Sequence, residues 1–356
     1  MTYHYVLALF SLSAALTFAL CRVAAPLGQW LGVIDTPSAS GSGGHKRHAD
    51  PTPAVGGVIL AIVGVTLSLA LLPYTKDIAP HLFNTRLLAS AAVVGAMVIG
   101  FVDDRAHLRP SVRLLLAAIF AVALLLLVPQ YRIERVEFPS IGVTLDTGIW
   151  ALPFTAICLV ALKNAINMAD GRNGLILGLS LIWITFFLLH ATPAIFPVLV
   201  VVSAALLVLF AFNVRGKLFM GDCGAYGIAT LFGICALSLH NQNYGTIRTA
   251  EVVLLFLMPV LDTLRLILVR LLSGQSPLAP DGRHLHHLLD EAIGWRRGWA
   301  VYMVLAAAPI MAYQLIDGYG VHIISVATLA YAIVVLALSA RIRELIQATH
   351  VDTPAE

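Results

Sequence analysis

The sequence predicts an all-α, polytopic membrane protein with about eleven transmembrane helices, ten being the alternative count. The 356-residue chain is 59% hydrophobic and only 12% charged, and its mean hydropathy is +0.89. A soluble domain carries about twice that share of charge, and most of this chain falls into apolar runs near the ~20 residues that span a bilayer. We therefore expect one integral-membrane domain over residues 1–356, with the lipid bilayer and no nucleic acid among its partners.

The predicted helices follow from apolar runs separated by polar or Gly- and Pro-rich segments. The runs fall at about 3–21, 54–73, 86–102, 111–129, 148–166, 174–190, 194–212, 223–240, 250–271, 299–315 and 320–340. Residues 130–147 alternate polar and apolar side chains, which predicts a short hairpin on the membrane surface. The four cysteines lack the spacing of a metal site and are expected to be inert.

The distribution of basic residues indicates the orientation. No Lys or Arg precedes the first run and Arg22 follows it, which favours a retained first helix with its N-terminus outside. The segments then facing the cytoplasm are the loops 22–53, 103–110, 167–173, 213–222 and 272–298 and the tail from 341. They and the adjoining helix ends hold about three times as many Lys and Arg residues as the opposite face, in agreement with the positive-inside rule.

Four aspartates lie at the cytoplasmic ends of these runs: Asp103 and Asp104 in GFVDDR, Asp170 in NMADGRNG and Asp222 in FMGDCGAYG. Carboxylates are costly near lipid, so several at one depth predict a cation and an anionic substrate. Asp103 and Asp104 close the third run, where negative charge opposes the helix dipole. Such a pair is typical of a Mg²⁺ site or a general base, and a solvated helix end is the structural alternative.

The run from Asn164 to Gly174 is the most informative motif. Asn164, Asn167 and Asp170 recur every three residues, so they share one face as the helix ends. Amide and carboxylate oxygens suit a hard cation, and the glycines that follow suit a nucleotide. A polar contact between helices is the alternative explanation for Asn164 alone.

Asp222 begins the eighth run among small residues, where a simple helix N-cap is the alternative. We expect the free amides of this helix start to favour a metal-bound diphosphate. Arg113, ten residues after Asp103, is expected to contact a phosphate. In the first loop, Lys46 and His48 form either a cationic arm over a phosphate or a positive-inside anchor.

The longest loop, 272–298, carries the motif PDGRHLHH. It contains four donors suited to a phosphate or sugar: Arg283, His284, His286 and His287. No fourth ligand is spaced for zinc. Asp262 and Arg265, three residues apart on the preceding helix, are expected to form a structural pair that orients this loop.

The order of these motifs resembles the polyprenyl-phosphate N-acetylhexosamine-1-phosphate transferase family of glycosyltransferase family 4. The resemblance runs from about Asp35 to His287 and covers every cytoplasmic loop, and HLHH is similar to the GlcNAc-type branch. It implies transfer of an N-acetylhexosamine 1-phosphate, with GlcNAc as the default sugar, from a UDP-sugar to undecaprenyl phosphate. UMP would be released at the cytoplasmic face of a bacterial inner membrane, in a pathway to O-antigen, exopolysaccharide or another surface polymer.

The resemblance also implies roles for individual residues. Asp103 and Asp104 would position Mg²⁺, or Mn²⁺ in its place, and orient or deprotonate the acceptor phosphate, with Asp170 as a further catalytic carboxylate. Asp222 and Asn167 would hold the metal. The implied substrate contacts are Lys46, His48, Arg113, Asn164, Asn173, Phe219 (stacked on uracil), Arg283, His284, His286 and His287.

One position departs from the family pattern. Much of the bacterial family has DGxDG, whereas this chain has Asn173 at the second acidic position. Asparagine can bond a uracil edge but cannot act as a base. Asn173 is the only feature that suggests an inactive scaffold as an alternative. A membrane transporter or channel that uses the same carboxylates is the competing class, and a homodimer is left open.

Overall fold

A computed structural model of the chain describes residues 3–36, 50–71, 83–193, 195–241, 246–277, 282–316 and 318–351. Within these ranges it contains thirteen α-helices and two small pairs of strands, so the all-α prediction is confirmed. The chain falls into two compact units. The first unit comprises residues 1–136 and 146–248, and the second comprises 137–145 and 249–356.

The first unit is built around one buried helix. Its helices are α1 Tyr3–Arg22, α2 Ala24–Leu31, α3 Gly56–Ala70, α4 Phe83–Ala106, α5 Pro110–Leu127, α6 Ala151–Ala169, α7 Leu175–Leu189, α8 Phe196–Asn213 and α9 Gly221–Asn241. In α9, 89% of the apolar segment is buried, against 22% in α1, α4 and α5. Helices α3, α4 and α6 pack on α9. Strands β1 Ile34–Asp35 and β2 Thr52–Pro53 pair antiparallel before α3.

The second unit packs four helices. They are α10 Thr249–Leu272, α11 Leu285–Ile293, α12 Trp295–Leu315 and α13 Gly320–Val351. Helix α12 packs on α10 and α11, and Gln314 donates from α12 to the carboxylate of Glu251 in α10 at 2.7 Å. Strands β3 Arg135–Phe138 and β4 Val143–Asp146 pair, which confirms the predicted hairpin, while its place on the membrane surface stays a prediction.

The eleven predicted apolar runs all correspond to helices. Among the described residues, nine helices are long and apolar enough to cross a membrane, and α3 and α7 are shorter apolar helices of 15 residues. A 15-residue helix is only about 22 Å long, less than the ~30 Å hydrocarbon core of a bilayer. The chain is therefore a multi-pass membrane protein in which two of the apolar helices, α3 and α7, are short.

The structure also differs from the predicted boundaries. Helices α2 and α11 lie in predicted loops, because segments of eight and nine residues are too short to give a membrane-span signal. Helix α4 runs to Ala106, so Asp103 and Asp104 lie within its last turn rather than at its end. Helix α13 continues past the predicted end at 340 to Val351, because the polar residues that follow the apolar run are also good helix formers.

Glycines allow the helix backbones around α9 to approach closely. A Cβ atom on Gly57 of α3 would lie 2.1 Å from the backbone nitrogen of Gly224 in α9. A Cβ atom on Gly100 of α4 would lie 2.3 Å from the backbone oxygen of Asp222. Both distances are far below contact distance, and the opposing atoms are backbone atoms that cannot rotate away. These contacts set the position of the start of α9.

Replacing Gly57 with alanine tests this backbone packing. We expect Gly57→Ala to lower the thermal unfolding temperature in detergent, because overpacking a close contact costs about 1–3 kcal/mol. Gly64→Ala in the same helix is the matched control, since a Cβ atom on Gly64 would have no other atom within 4 Å. Alanine there should be neutral or stabilise the helix by up to about 1 kcal/mol. Equal unfolding temperatures for the two variants would contradict the packing argument.

Candidate active site

The carboxylate of Asp104 caps the start of α9. The amide of Asp222 donates to Asp104 Oδ1 at 2.7 Å, and the amide of Cys223 donates to Oδ2 at 3.0 Å. The first amides of a helix have no partner within the helix, and a carboxylate satisfies both their bonding capacity and the helix dipole. The expectation that these amides are free to bind a diphosphate is therefore wrong, because Asp104 of α4 already occupies them.

Asp103 is buried beside the same helix and organises the turn between α4 and α5. Its side chain is 1% exposed. Oδ1 accepts from the amide of Leu108 at 3.0 Å and lies 3.0 Å from Arg113 Nε, while Oδ2 accepts from the hydroxyl of Tyr226 at 2.6 Å. His107, in this turn, has φ 47°. Asp103 thus joins α4, α5 and α9 and directs the Arg113 side chain.

Asn167 and Asp222 bring the ends of α6 and α9 together. Asn167 Nδ2 donates to Asp222 Oδ1 at 2.5 Å, and Asp222 Oδ2 lies 3.8 Å from Arg113 Nη1. Burial, followed by the nearby carboxylates of Asp222 and Asp104, raises the pKa of Asp170 to about 8. Asp170 follows the last residue of α6. The predicted carboxylate cluster therefore forms, and its members repel one another.

Asn213 at the end of α8 connects the two loops beside this cluster. Its Oδ1 accepts from the amide of Gly174 at 2.6 Å, and its Nδ2 donates to the carbonyl of Leu218 at 2.9 Å. Gly174 has φ 82°, a conformation that favours glycine, and it precedes α7. One buried amide thus fixes both the loop after Asp170 and the loop before Asp222.

The backbone of Phe219 is held by the segment that enters α3. Its amide donates to the carbonyl of Pro53 at 2.9 Å, and its carbonyl accepts from the amide of Gly56 at 2.9 Å. The side chain of Phe219 is half-buried. Asn164 and Asn173 are also half-buried, in the first unit. Lys46 and His48 lie outside the described residues.

An apolar cleft opens beside the charged cluster. It encloses about 520 Å³ of empty space, a figure that includes open solvent at its mouth. Helices α4, α5, α6 and α9 line it. The lining residues are Ala96, Ile99, Arg113, Ala117, Phe120, Ala121, Leu124, Leu159, Val160, Lys163, Tyr226, Ala229 and Thr230.

In the second unit, Asp262 holds the start of the histidine helix α11. Asp262 is 3% exposed. Its carboxylate accepts from Arg265 Nη2 at 2.9 Å, from Tyr331 Oη at 2.7 Å and from the amide of Leu285 at 3.1 Å. His284 Nδ1 lies 2.8 Å from Asp262 Oδ2. The predicted structural pair of Asp262 and Arg265 is confirmed, and so is its role in orienting the loop.

The histidines of PDGRHLHH lie side by side at the start of α11. The rings of His284 and His286 are nearly parallel with centroids 5.5 Å apart, and the centroids of His286 and His287 are 4.2 Å apart. Arg283 is exposed, and its carbonyl accepts from Arg265 Nη2 at 2.5 Å. The order of this segment therefore depends on side chains of α10.

Three residues beside the cluster were not predicted from the sequence: Lys163, Asn213 and Tyr226. Lys163 is 8% exposed, and its Nζ lies 3.9 Å from the centroid of the Tyr226 ring. The sequence did contain a signal for Lys163, because a charged residue inside an apolar run, directly before Asn164, is unusual. Asn213 and Tyr226 had no such signal, because their partners are distant in sequence.

Replacing Asp262 tests its role in ordering α11. Asp262→Asn removes a buried charge that faces Arg265 and His284, and breaking a buried pair in this way costs about 3–5 kcal/mol. We expect a clear fall in the thermal unfolding temperature and faster proteolysis near residue 283. Asp146→Asn, which affects the exposed pair with Arg135, is the control and should cost at most about 1 kcal/mol. Two variants of equal stability would argue against this role.

The part of the chain that carries the four aspartates matches a known protein family. Residues 86–240 match glycosyl transferase family 4, and they include Asp103, Asp104, Asp170 and Asp222. The chain is 29% identical over 267 residues to a probable undecaprenyl-phosphate N-acetylglucosaminyl 1-phosphate transferase of Bacillus subtilis, covering 73% of this chain and 70% of that protein.

Two further relatives have related names. The decaprenyl-phosphate N-acetylglucosaminephosphotransferase of Mycolicibacterium smegmatis is 28% identical, with 75% of this chain and 71% of that protein covered. The undecaprenyl-phosphate alpha-N-acetylglucosaminyl 1-phosphate transferase of Escherichia coli K12 is 28% identical, with 81% and 77% covered. Residues 86–240 of the chain are thus similar to glycosyl transferase family 4, and the chain as a whole is similar to polyprenyl-phosphate N-acetylglucosamine-1-phosphate transferases.

Proposed function

We propose that this protein transfers N-acetylglucosamine 1-phosphate from UDP-N-acetylglucosamine to undecaprenyl phosphate. One observation carries the proposal: a cluster of carboxylates with Arg113 and Lys163 lies at one end of an apolar cleft. That combination suits a lipid whose phosphate must meet a water-soluble nucleotide. The names of the relatives agree with it.

The residues of the cluster fit a bound Mg²⁺, with Mn²⁺ as the alternative ion. No group of three or more His, Cys, Asp or Glu side chains within the described ranges is arranged to hold a metal. Mg²⁺, however, is commonly held by one or two carboxylates together with substrate phosphates and water. Burial, and after it the carboxylates of Asp222 and Asp104, raises the pKa of Asp170, and a nearby cation would stabilise these carboxylates. We assign Asp222 as the principal ligand, with Asn167 and Asp170 beside it.

In the proposed reaction, an oxygen of the lipid phosphate bonds to the β-phosphorus of the UDP-sugar. The bond from that phosphorus to the bridging oxygen breaks, and UMP leaves with this oxygen and its electron pair. Bound Mg²⁺ would neutralise negative charge on the diphosphate of the UDP-sugar. Arg113, held by Asp103, is positioned to contact a phosphate.

Little proton transfer is needed from the acceptor. The second pKa of a phosphate monoester is near 6, so the nucleophile is largely a dianion at neutral pH. The catalytic roles of Asp103 and Asp104 on the acceptor phosphate stay predictions, and we propose that both also act by positioning their neighbours. For Asp104 this means the start of α9, and for Asp103 it means Arg113.

The donor is assigned to loop residues on the basis of the resemblance. Phe219 would stack on uracil and Asn173 would bond its edge. Contacts with the diphosphate and sugar are assigned to Lys46, His48, Asn164, Arg283, His284, His286 and His287. The proposed location is the bacterial inner membrane, with the N-terminus outside and these loops in the cytoplasm, where UDP-sugars are made. The product would start a surface polymer such as O-antigen or exopolysaccharide.

A transporter or channel is the competing class, and Asp262 with Arg265 is its main support. Ionisable residues of transport pathways lie within the membrane and exchange partners as the ion or substrate moves. Asp262 instead has its carboxylate bonded to four neighbouring groups of its own unit. This arrangement favours a fixed structural role.

The direct test is transfer of radiolabel from UDP-[³H]GlcNAc to undecaprenyl phosphate by the purified protein, with and without Mg²⁺. The proposal predicts label in the lipid fraction, one UMP released for each sugar transferred, and no transfer after chelation. A panel of other UDP-N-acetylhexosamines reads the sugar specificity. Folded protein that transfers none of these sugars would exclude the proposed activity.

Replacing Asp222 tests the metal assignment. Asp222→Asn keeps the size of the side chain but removes its charge, so we expect transfer to fall by roughly 10²–10³-fold while the protein still folds. The stabilisation by Mg²⁺ seen in thermal unfolding should also disappear, which gives a readout independent of turnover. Asp146→Asn, in the exposed hairpin, should change neither quantity. Normal Mg²⁺-dependent stabilisation in Asp222→Asn would remove Asp222 as the ligand.

A further inference from the structure

Lys163 occupies an unusual place for a lysine. It lies on α6, is 8% exposed and lines the apolar cleft together with residues such as Phe120, Leu124 and Leu159. Burying an ammonium ion among apolar side chains is costly unless an anion or another polar group compensates. The positive charge of a lysine at this position therefore needs a compensating partner.

The protein supplies only part of this compensation. Lys163 Nζ lies 3.9 Å from the centroid of the Tyr226 ring, a cation–π contact. Among the described residues, no carboxylate is paired with Lys163. Asp222 and Asp103 attract the ammonium from beyond salt-bridge distance. Both have other partners, since Asp103 binds Leu108, Arg113 and Tyr226, and Asp222 binds Asn167 and lies near Arg113. The ammonium is therefore available to a ligand.

The shape and charge of the cleft indicate which ligand this is. Its walls are apolar, and its two cationic side chains are Lys163 and Arg113. A UDP-sugar has no apolar portion to fill such walls. A prenyl chain with a phosphate head does, and the phosphate, which carries close to two negative charges at neutral pH, would lie against these two cationic side chains.

We propose that Lys163, together with Arg113, binds the phosphate group of the lipid acceptor and makes the cleft select a phosphate-headed lipid over an uncharged lipid alcohol. This inference rests on the proposed function, and it adds to that function a residue outside the motifs that carry the family resemblance. The phosphate would be held between α5 and α6, beside Asp222. Tyr226 then positions two groups. Its ring holds the ammonium of Lys163, and its hydroxyl holds the carboxylate of Asp103.

The test compares binding of undecaprenyl phosphate and undecaprenol to the wild type and to Lys163→Met, which keeps the length of the side chain without its charge. Native mass spectrometry in detergent measures the affinities for the two lipids in the absence of turnover. We expect the variant to lose roughly 10-fold or more in affinity for the phosphate and to bind the alcohol unchanged. Lys163→Arg should recover most of the loss. Lys217→Met, the same substitution at an exposed lysine, should retain the wild-type preference.

Kinetics give a second readout. In Lys163→Met we expect the KM for undecaprenyl phosphate to rise while the KM for UDP-GlcNAc stays the same. A rise in the donor KM instead would overturn the inference and assign Lys163 to the diphosphate. Inorganic phosphate should compete weakly, since the apolar chain supplies part of the affinity; equal affinity for inorganic phosphate would show a simple anion site and also overturn it.

The outcomes separate this inference from the proposed function. If the wild type transfers sugar and Lys163→Met binds both lipids as the wild type does, the inference fails and the function stands. If the wild type prefers the phosphate lipid but transfers no sugar, the function fails and the binding role of Lys163 stands. Equal losses for both lipids, with a lower unfolding temperature, would show that Lys163 only supports the fold. Lys163→Gln provides a second neutral variant if Lys163→Met does not fold.

Discussion

The contact between Asp104 and the first amides of α9 is the interaction on which the rest of the site depends. It crosses from α4 to α9 and places one carboxylate at the positive end of a helix dipole, where it is stabilising. The glycine contacts at Gly57 and Gly100 bring the backbones close enough for this bond to form. The result is a fixed helix start, from which the side chain of Asp222 projects towards Asn167 and Arg113.

The same arrangement creates a charge imbalance that supports the proposed chemistry. Asp103, Asp104, Asp170 and Asp222 carry four negative charges when ionised, whereas Arg113 and Lys163 supply two positive charges. One divalent cation would balance the difference, and the pKa of Asp170 is raised by burial together with the nearby carboxylates of Asp222 and Asp104. In the proposed reaction, a cation and an anionic substrate would enter a site whose side chains are already held by hydrogen bonds and ion pairs within the protein. Phosphoryl transfer requires such preorganisation, because positioning and charge stabilisation account for most of the rate enhancement.

The sequence was sufficient for the parts that depend on local composition. Eleven apolar runs gave eleven helices, the alternating segment 130–147 gave a hairpin, and the spacing of Asp262 and Arg265 gave an ion pair. It was insufficient where partners are distant along the chain. Asp104 and Cys223 are 119 residues apart, so the capping of α9 had no local signal. Lys163 was not identified as a site residue, because it lies within a membrane span, where a single charge does not interrupt the hydropathy pattern. Helices α2 and α11 were too short to be detected.

Hydrogen–deuterium exchange of the peptide covering residues 219–226 measures the central contact directly. In Asp104→Ala, the amides of Asp222 and Cys223 lose their acceptors, so we expect both to exchange faster than in the wild type while the rest of α9 exchanges at an unchanged rate. The stabilisation by Mg²⁺ should weaken in the same variant, since Asp222 is no longer held. Unchanged exchange at these two amides would contradict the account and leave Asp104 a role in chemistry alone.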